Sequence, residues 1–150
     1  MGTQPAAAPA EDQRLYIKQR LTSALKSANV WEKLEKRVPA APWTHAGDPF
    51  RLDYAYRPLF AEGKANGHIR FLHALSLHRD TELAKVLVYT IEHVRRKEPA
   101  DLTAVVEGLP GRGDKAASLS RRILEEGGAL IRPLAEVEVI AQTLRSELGL

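Results

Sequence analysis

The sequence predicts an α/β domain: a mixed sheet of about four strands, ordered α-β-β-α-β-α-β-α, with a hairpin start and helices on both faces. Three observations predict it. Apolar residues recur at three- and four-residue steps over residues 11–38, and they alternate with polar residues over 50–77. From residue 80 to 148, helical and strand-like rhythms take turns. Such turn-taking builds parallel strands joined by right-handed crossovers, so the last three strands are expected to run parallel, with the first antiparallel at an edge or beside the second.

Residues 1–10 are rich in Ala and Pro, with no basic start and no long apolar core. They read as a disordered leader or the cut end of a longer protein, not as a signal peptide. The domain then occupies 11–150. Its first helix is expected over 11–38, with Asp12 as cap, Ile17, Leu21, Leu25, Ala28, Leu34 and Val38 along one stripe, and a kink or break at Asn29. Three prolines in 39–49 mark a loop. In 50–57, Phe50, Leu52, Tyr54 and Tyr56 alternate with Arg51, Asp53, Ala55 and Arg57, as in a half-buried strand. A loop over 58–67 leads to a second run, 68–77, with Ile69, Phe71, His73, Leu75 and Leu77 on one face, which completes a long-looped hairpin. Asp80 is placed to cap a helix over 81–97, followed by a continuous apolar strand over 102–107. Asp114 is placed to cap a third helix that Gly127-Gly128 ends. A short strand over 129–132 and a last helix carrying Val137, Ile140, Ala141, Leu144 and Leu148 close the domain.

With 44% hydrophobic and 27% charged residues, the chain is not disordered over its whole length. It has no cysteine, which excludes disulfides, zinc-thiolate sites and cysteine nucleophiles. No apolar run approaches the roughly 20 residues that span a bilayer, so a cytoplasmic protein is expected. The net charge of +3 belongs entirely to residues 1–40, because the fifteen basic and fifteen acidic side chains of the remainder cancel.

Four constellations carry possible chemistry. The helix–strand–helix–strand order resembles the core of restriction-endonuclease-like nucleases. Those place an Asp on one strand and an acidic-x-Lys triplet on the next, to hold a divalent metal and polarise water. Asp53 stands where the Asp would, but the run 68–77 has neither an acidic residue nor a lysine. The bland alternative pairs Asp53 with Arg51 or Arg57 on a solvated face. Second, Glu107-Gly108 ends a strand before a glycine loop. The pair resembles the first motif of toprim domains, and Gly108, Gly111 and Gly113 could expose amides to a phosphate. The later Asp-x-Asp of toprim domains is missing; Glu136-Val-Glu138 is the nearest substitute, in a helical setting, and a surface turn before a capped helix is the plainer reading. Third, His68, His73 and His78 are five apart, so a strand would turn His73 away from the others. His73 then reads as a buried, hydrogen-bonded histidine, or as one ligand with Asp53 and Glu107 of a metal site. Fourth, Lys18, Arg20 and Lys26 give the first helix a basic character suited to nucleic acid, although packing or dimerisation explains its wide apolar stripe equally.

The runs Arg51-Leu-Asp-Tyr-Ala-Tyr-Arg-Pro58, Arg70-Phe-Leu-His-Ala-Leu-Ser-Leu77, Ala84-Lys-Val-Leu-Val88 and Leu102-Thr-Ala-Val-Val-Glu107 resemble the C-terminal region of longer, uncharacterised bacterial proteins, in which a domain of unknown function precedes it. The resemblance covers residues from about 30 to 148 and implies a fragment, or a stand-alone relative, of a two-domain bacterial protein, with no activity or site residues attached. Taken together, the expectation is a non-catalytic binding or regulatory module. Its partner is a protein or a second copy, with nucleic acid less favoured, and it uses no cofactor, metal or membrane. The alternative is a divergent metal-dependent nuclease or phosphoryl-transfer enzyme using Asp53 and Glu107, with His73 a further candidate residue.

Overall fold

A computed structural model describes residues 10–59 and 68–150; the leader over 1–9 and most of the loop over 58–67 lie outside them. Among the described residues the order is α1 (Ala10–Ser27), β1 (Glu35–Pro39), β2 (Arg51–Tyr56), β3 (Ile69–Ala74), α2 (Thr81–Arg95), β4 (Ala100–Val106), α3 (Lys115–Glu126), β5 (Leu130–Pro133) and α4 (Val137–Glu147). The class is α+β, and the sheet is mixed. Its five strands lie in sequence order, β1-β2-β3-β4-β5. β2 runs antiparallel to both β1 and β3, whereas β3, β4 and β5 run parallel, as expected.

The strand missing from the sequence reading is β1. Residues 35–39 were expected to prolong the first helix, but α1 stops at Ser27. Asn29 takes a left-handed backbone (φ 59°), its amide bonds back to Lys26 O (3.0 Å), and the Val30 amide reaches Leu25 O (3.1 Å). This double bond pattern closes a helix C-terminus, and the apolar residue after the turn, Val30, is fully buried. The chain then pairs with β2 as an edge strand. Asp12 lies inside the helix rather than at its cap. At α2, Asp80 precedes the helix, but its carboxylate accepts the Ser76 amide (2.8 Å) instead of capping it. Asp114 does cap α3, accepting the Ala117 amide (3.0 Å).

Two apolar layers flank the sheet. On one face α1 and α4 bury Ile17, Leu21, Leu25, Val137, Ile140 and Leu144 against Tyr54, Tyr56, Leu72 and Val105. On the other, α2 and α3 cover Phe71, Leu102, Ala104 and Val106. Burial on both faces explains why β2 is buried from Leu52 to Tyr56 rather than half-exposed. No helix of the described residues is long and apolar enough to cross a membrane.

One irregularity positions the site. Leu52 and Ala55 share the α2/α3 face although they are three apart, while Tyr54 and Tyr56 take the other. A strand of period two allows this only if the alternation changes phase between Leu52 and Tyr54. The β1–β2 register pairs 35 with 55, 36 with 54, 38 with 52 and 39 with 51, skipping Arg37 and Asp53. Arg37 has a left-handed backbone (φ 50°), rare for a non-glycine residue in a strand. Both strands therefore change phase at one facing pair, and the register survives.

Candidate functional site

Asp53 sits where β2 and β3 part, since their ladder ends at Tyr54–Leu72. The Asp53 amide donates to His73 Nδ1 (3.0 Å), and its carboxylate accepts the Ala74 amide (2.9 Å). Side chains thus replace the missing backbone bonds, as buried polar groups require. The same carboxylate accepts both arms of the Arg14 guanidinium (2.9 and 3.1 Å), with Lys18 Nζ at 3.5 Å. Arg14 and Lys18 lie one turn apart on α1, so both meet the strand. Asp53 is only 3% exposed, which overturns its expected place on a solvated face beside Arg51 or Arg57. Burial opposes its ionisation, but the adjacent His73 ring, the Arg14 charge and the Ala74 amide outweigh that and hold the carboxyl below its usual range.

His73 is fully buried. Because Nδ1 accepts a hydrogen bond, the neutral ring carries its proton on Nε2, an atom with no partner among the described residues. Burial pushes its pKa down to about 4; Asp53 pulls the other way, while Arg14 and Lys18 add to the depression. His68 and His78 do not join it: both are exposed, His68 near Asp101 and His78 bonded to Asp114 (3.0 Å).

Glu107 is brought close to this region but is occupied. Its carboxylate accepts the Leu77 amide (2.7 Å), the His78 amide (3.2 Å) and the Ser76 hydroxyl (2.5 Å), tying the end of β4 to the turn before α2. Burial raises the neighbouring Asp80 carboxyl, and Glu107 adds to that push. Among the described residues, no group of three His, Asp or Glu side chains is arranged to hold a metal ion. In the glycine loop, Gly113 has φ 83°, a conformation that favours glycine, whereas Gly108 and Gly111 are held by no such requirement. The α3 amide beyond that loop already has its anion, the carboxylate of Asp114.

Around Asp53 opens a cleft of about 420 Å³, lined by Arg14, Lys18, Arg37, Arg51, Phe50 and Asp53 among others. It holds four cations and one carboxylate, which Arg14 and Lys18 already neutralise. Arg51 donates to the Arg37 carbonyl (3.0 Å), and among the described residues neither arginine meets a carboxylate. A second cleft, of about 300 Å³, lies between β4, β5 and α4. Its charges cancel: Arg70 bonds Glu147 and lies 3.5 Å from Asp101, and Arg132 pairs with Glu136 (3.0 Å). Tyr56, raised to about 12 chiefly by burial, stays protonated and donates to Glu147 (2.6 Å).

Of the three cations expected on the first helix, Lys18 and Lys26 line one shallow groove, while Arg20 bonds the Tyr16 hydroxyl (3.2 Å) about 200° round the helix from Lys18. Lys26 and Lys36 lie over the Trp31 ring, at 4.6 and 4.0 Å from its centre. Sequence reading missed Arg14 and Arg37. One signal for the edge strand was present: a residue before proline avoids the helical region, so Val38-Pro39 already argued against a helix reaching 38. Nothing local announced that Arg14 would meet a strand 39 residues later. No family model, no curated protein and no solved structure matches this chain.

Proposed function

We propose that this chain is a non-catalytic binding or regulatory module of a bacterial cytoplasmic protein. One observation carries the reading: both carboxylates that a metal-dependent phosphoryl-transfer site would need are spent on the fold. Asp53 takes two donors from Arg14 and one from Ala74, with an ammonium beside it. Glu107 takes three donors. A carboxylate has about four acceptor directions, and a divalent ion would also have to displace the cations that Asp53 faces.

The test is incubation with Mg²⁺ or Mn²⁺ and single- or double-stranded DNA and RNA, beside a thermal-shift screen with the same ions and nucleotides. Intact substrates and a melting temperature indifferent to the ions are expected. Cleavage that disappears in Asp53→Asn or Glu107→Gln variants of unchanged helical content would establish the alternative, a divergent nuclease. Cleavage that persists in both would equally end the non-catalytic reading, by placing the chemistry elsewhere.

A further inference from the structure

We propose that the cleft at the Arg37–Asp53 phase change binds a phosphodiester, and that the cationic face leading from it along α1 seats a nucleic-acid strand without cutting it. Only the absence of cleavage rests on the non-catalytic reading above. The site itself rests on the cleft.

Two of its four cations are occupied by Asp53, and two are left over. Arg37 and Arg51 both present planar guanidinium forks, which match the paired oxygens of a phosphate better than an ammonium does. One is fixed by its bond to the backbone of the other. The left-handed conformation of Arg37 is strained for a residue with a Cβ. Such strain, retained at the mouth of a charged cleft, is a recurrent mark of binding sites. The opening of about 420 Å³ falls within the size range of small-ligand pockets and admits a nucleotide unit.

The ligand extends beyond one phosphate because the charge does. Lys18 lines both the cleft and the groove on α1 that ends at Lys26, about 12 Å further along the helix. Beyond it stands Trp31, its ring covered by Lys26 and Lys36. Phosphates that draw off these ammonium groups would uncover an aromatic face on which a base can stack. The whole net charge of the chain lies within its first 40 residues, and this row supplies most of those cations. The second cleft, with its charges cancelled, offers a phosphate nothing comparable.

Fluorescence anisotropy with a labelled twelve-nucleotide single strand and its duplex, at rising salt, tests this. Arg51→Gln and Arg37→Asn each should weaken binding about tenfold and flatten the salt dependence by about one counterion. Asn is chosen because it tolerates the left-handed backbone. Arg51→Lys, which keeps the charge but loses the fork, should keep the salt dependence and recover only part of the affinity, and Arg132→Gln on the opposite edge should change nothing. Melting curves confirm that each variant is folded. Equal affinity across all variants would overturn the site. Inorganic phosphate or a mononucleotide that binds as tightly as the oligonucleotide, with the same dependence on Arg37 and Arg51, would overturn the strand in favour of a small free anion. Gels run on the bound probe separate the two proposals: a cut probe strikes only the non-catalytic reading, and an unbound one only the site.

Discussion

Strands β3, β4 and β5 run parallel and keep an unbroken alternation, with their helices covering Phe71, Leu102, Ala104 and Val106 on one side and Leu72 and Val105 on the other. Strands β1 and β2 run antiparallel and change phase at Arg37 and Asp53, and they leave a charged pair between sheet and helix. In the parallel half an exposed ion pair such as Arg121–Glu125 sits on a helix surface and is worth little. In the antiparallel half the carboxylate that Arg14 and Lys18 neutralise also stands in for a ladder bond by accepting the Ala74 amide, so shape depends on it. Polarity placed inside a sheet becomes architecture, and the same defect that requires Asp53 also sets beside it Arg37 and Arg51, which meet no carboxylate among the described residues.

The hardest test of that contrast is removal of Asp53. Asp53→Ala strands the Ala74 amide and leaves Arg14 and Lys18 facing a void, and a loss of about 3 kcal/mol in urea unfolding is expected. Arg14 and Lys18 are about a quarter exposed and can turn to water, which keeps the loss at the lower end of such changes. Glu125→Ala in the parallel half should cost less than about 0.5 kcal/mol. Comparable losses from the two would erase the distinction between the halves.

Acid should find the same weak point. His73 has a folded pKa of about 4 against 6.5 for a free ring, so the unfolded chain binds the extra proton between those values. Its contribution is complete above pH 6.5 and is lost as the pH falls towards 4, by about 3 kcal/mol in total. Asp53, whose carboxyl is depressed, adds a further loss only below about pH 3.8. Stability measured from pH 7 to 4 should therefore slope downwards, and His73→Asn, whose amide oxygen can take the place of Nδ1, should flatten that slope. An unchanged slope in His73→Asn would assign the acid sensitivity to other groups.

How much of this was legible follows from what each signal depends on. The parallel half announced itself because its cues are local: the apolar run of β4, the Asp114 cap and the Gly127-Gly128 stop all lie within their own segments. The hairpin of β2 and β3 was visible in its alternation, but Asp53 fell into the polar register and was assigned to solvent. Its actual surroundings come from a helix 39 residues away, which no window of sequence contains. The edge strand β1 was lost for a different reason: Leu34 and Val38 continue the helical spacing of α1, so a strand of five residues was absorbed into the stripe. His73 was read as buried because its neighbours are apolar, whereas its acceptor role towards Asp53 needs the parting of two strands, which only coordinates display.

The smallest effects sharpen the comparison most, because they set one motif against itself in the two halves. Both α1 and α3 end with the same pair of backbone bonds around a left-handed residue: Asn29 with Val30 reaching Leu25, and Gly128 with Ala129 reaching Leu124 (2.9 Å). Glycine made the second stop readable as an end, whereas asparagine marked the first only as a kink or break within a longer helix. At Gly128 (φ 81°) a Cβ would also come within 2.9 Å of the Arg95 guanidinium, itself bonded to the Gly127 carbonyl (2.9 Å). Gly128→Ala should therefore lose about 1–2 kcal/mol, the cost of the left-handed backbone, with the flexible end of Arg95 yielding. Asn29→Gly should move the other way, gaining a few tenths of a kcal/mol, because glycine takes φ 59° without penalty. Paired urea melts of the two variants decide it. If Asn29→Gly destabilises the fold, the asparagine side chain is holding the junction between α1 and β1, and the end of α1 is not the simple backbone turn that ends α3.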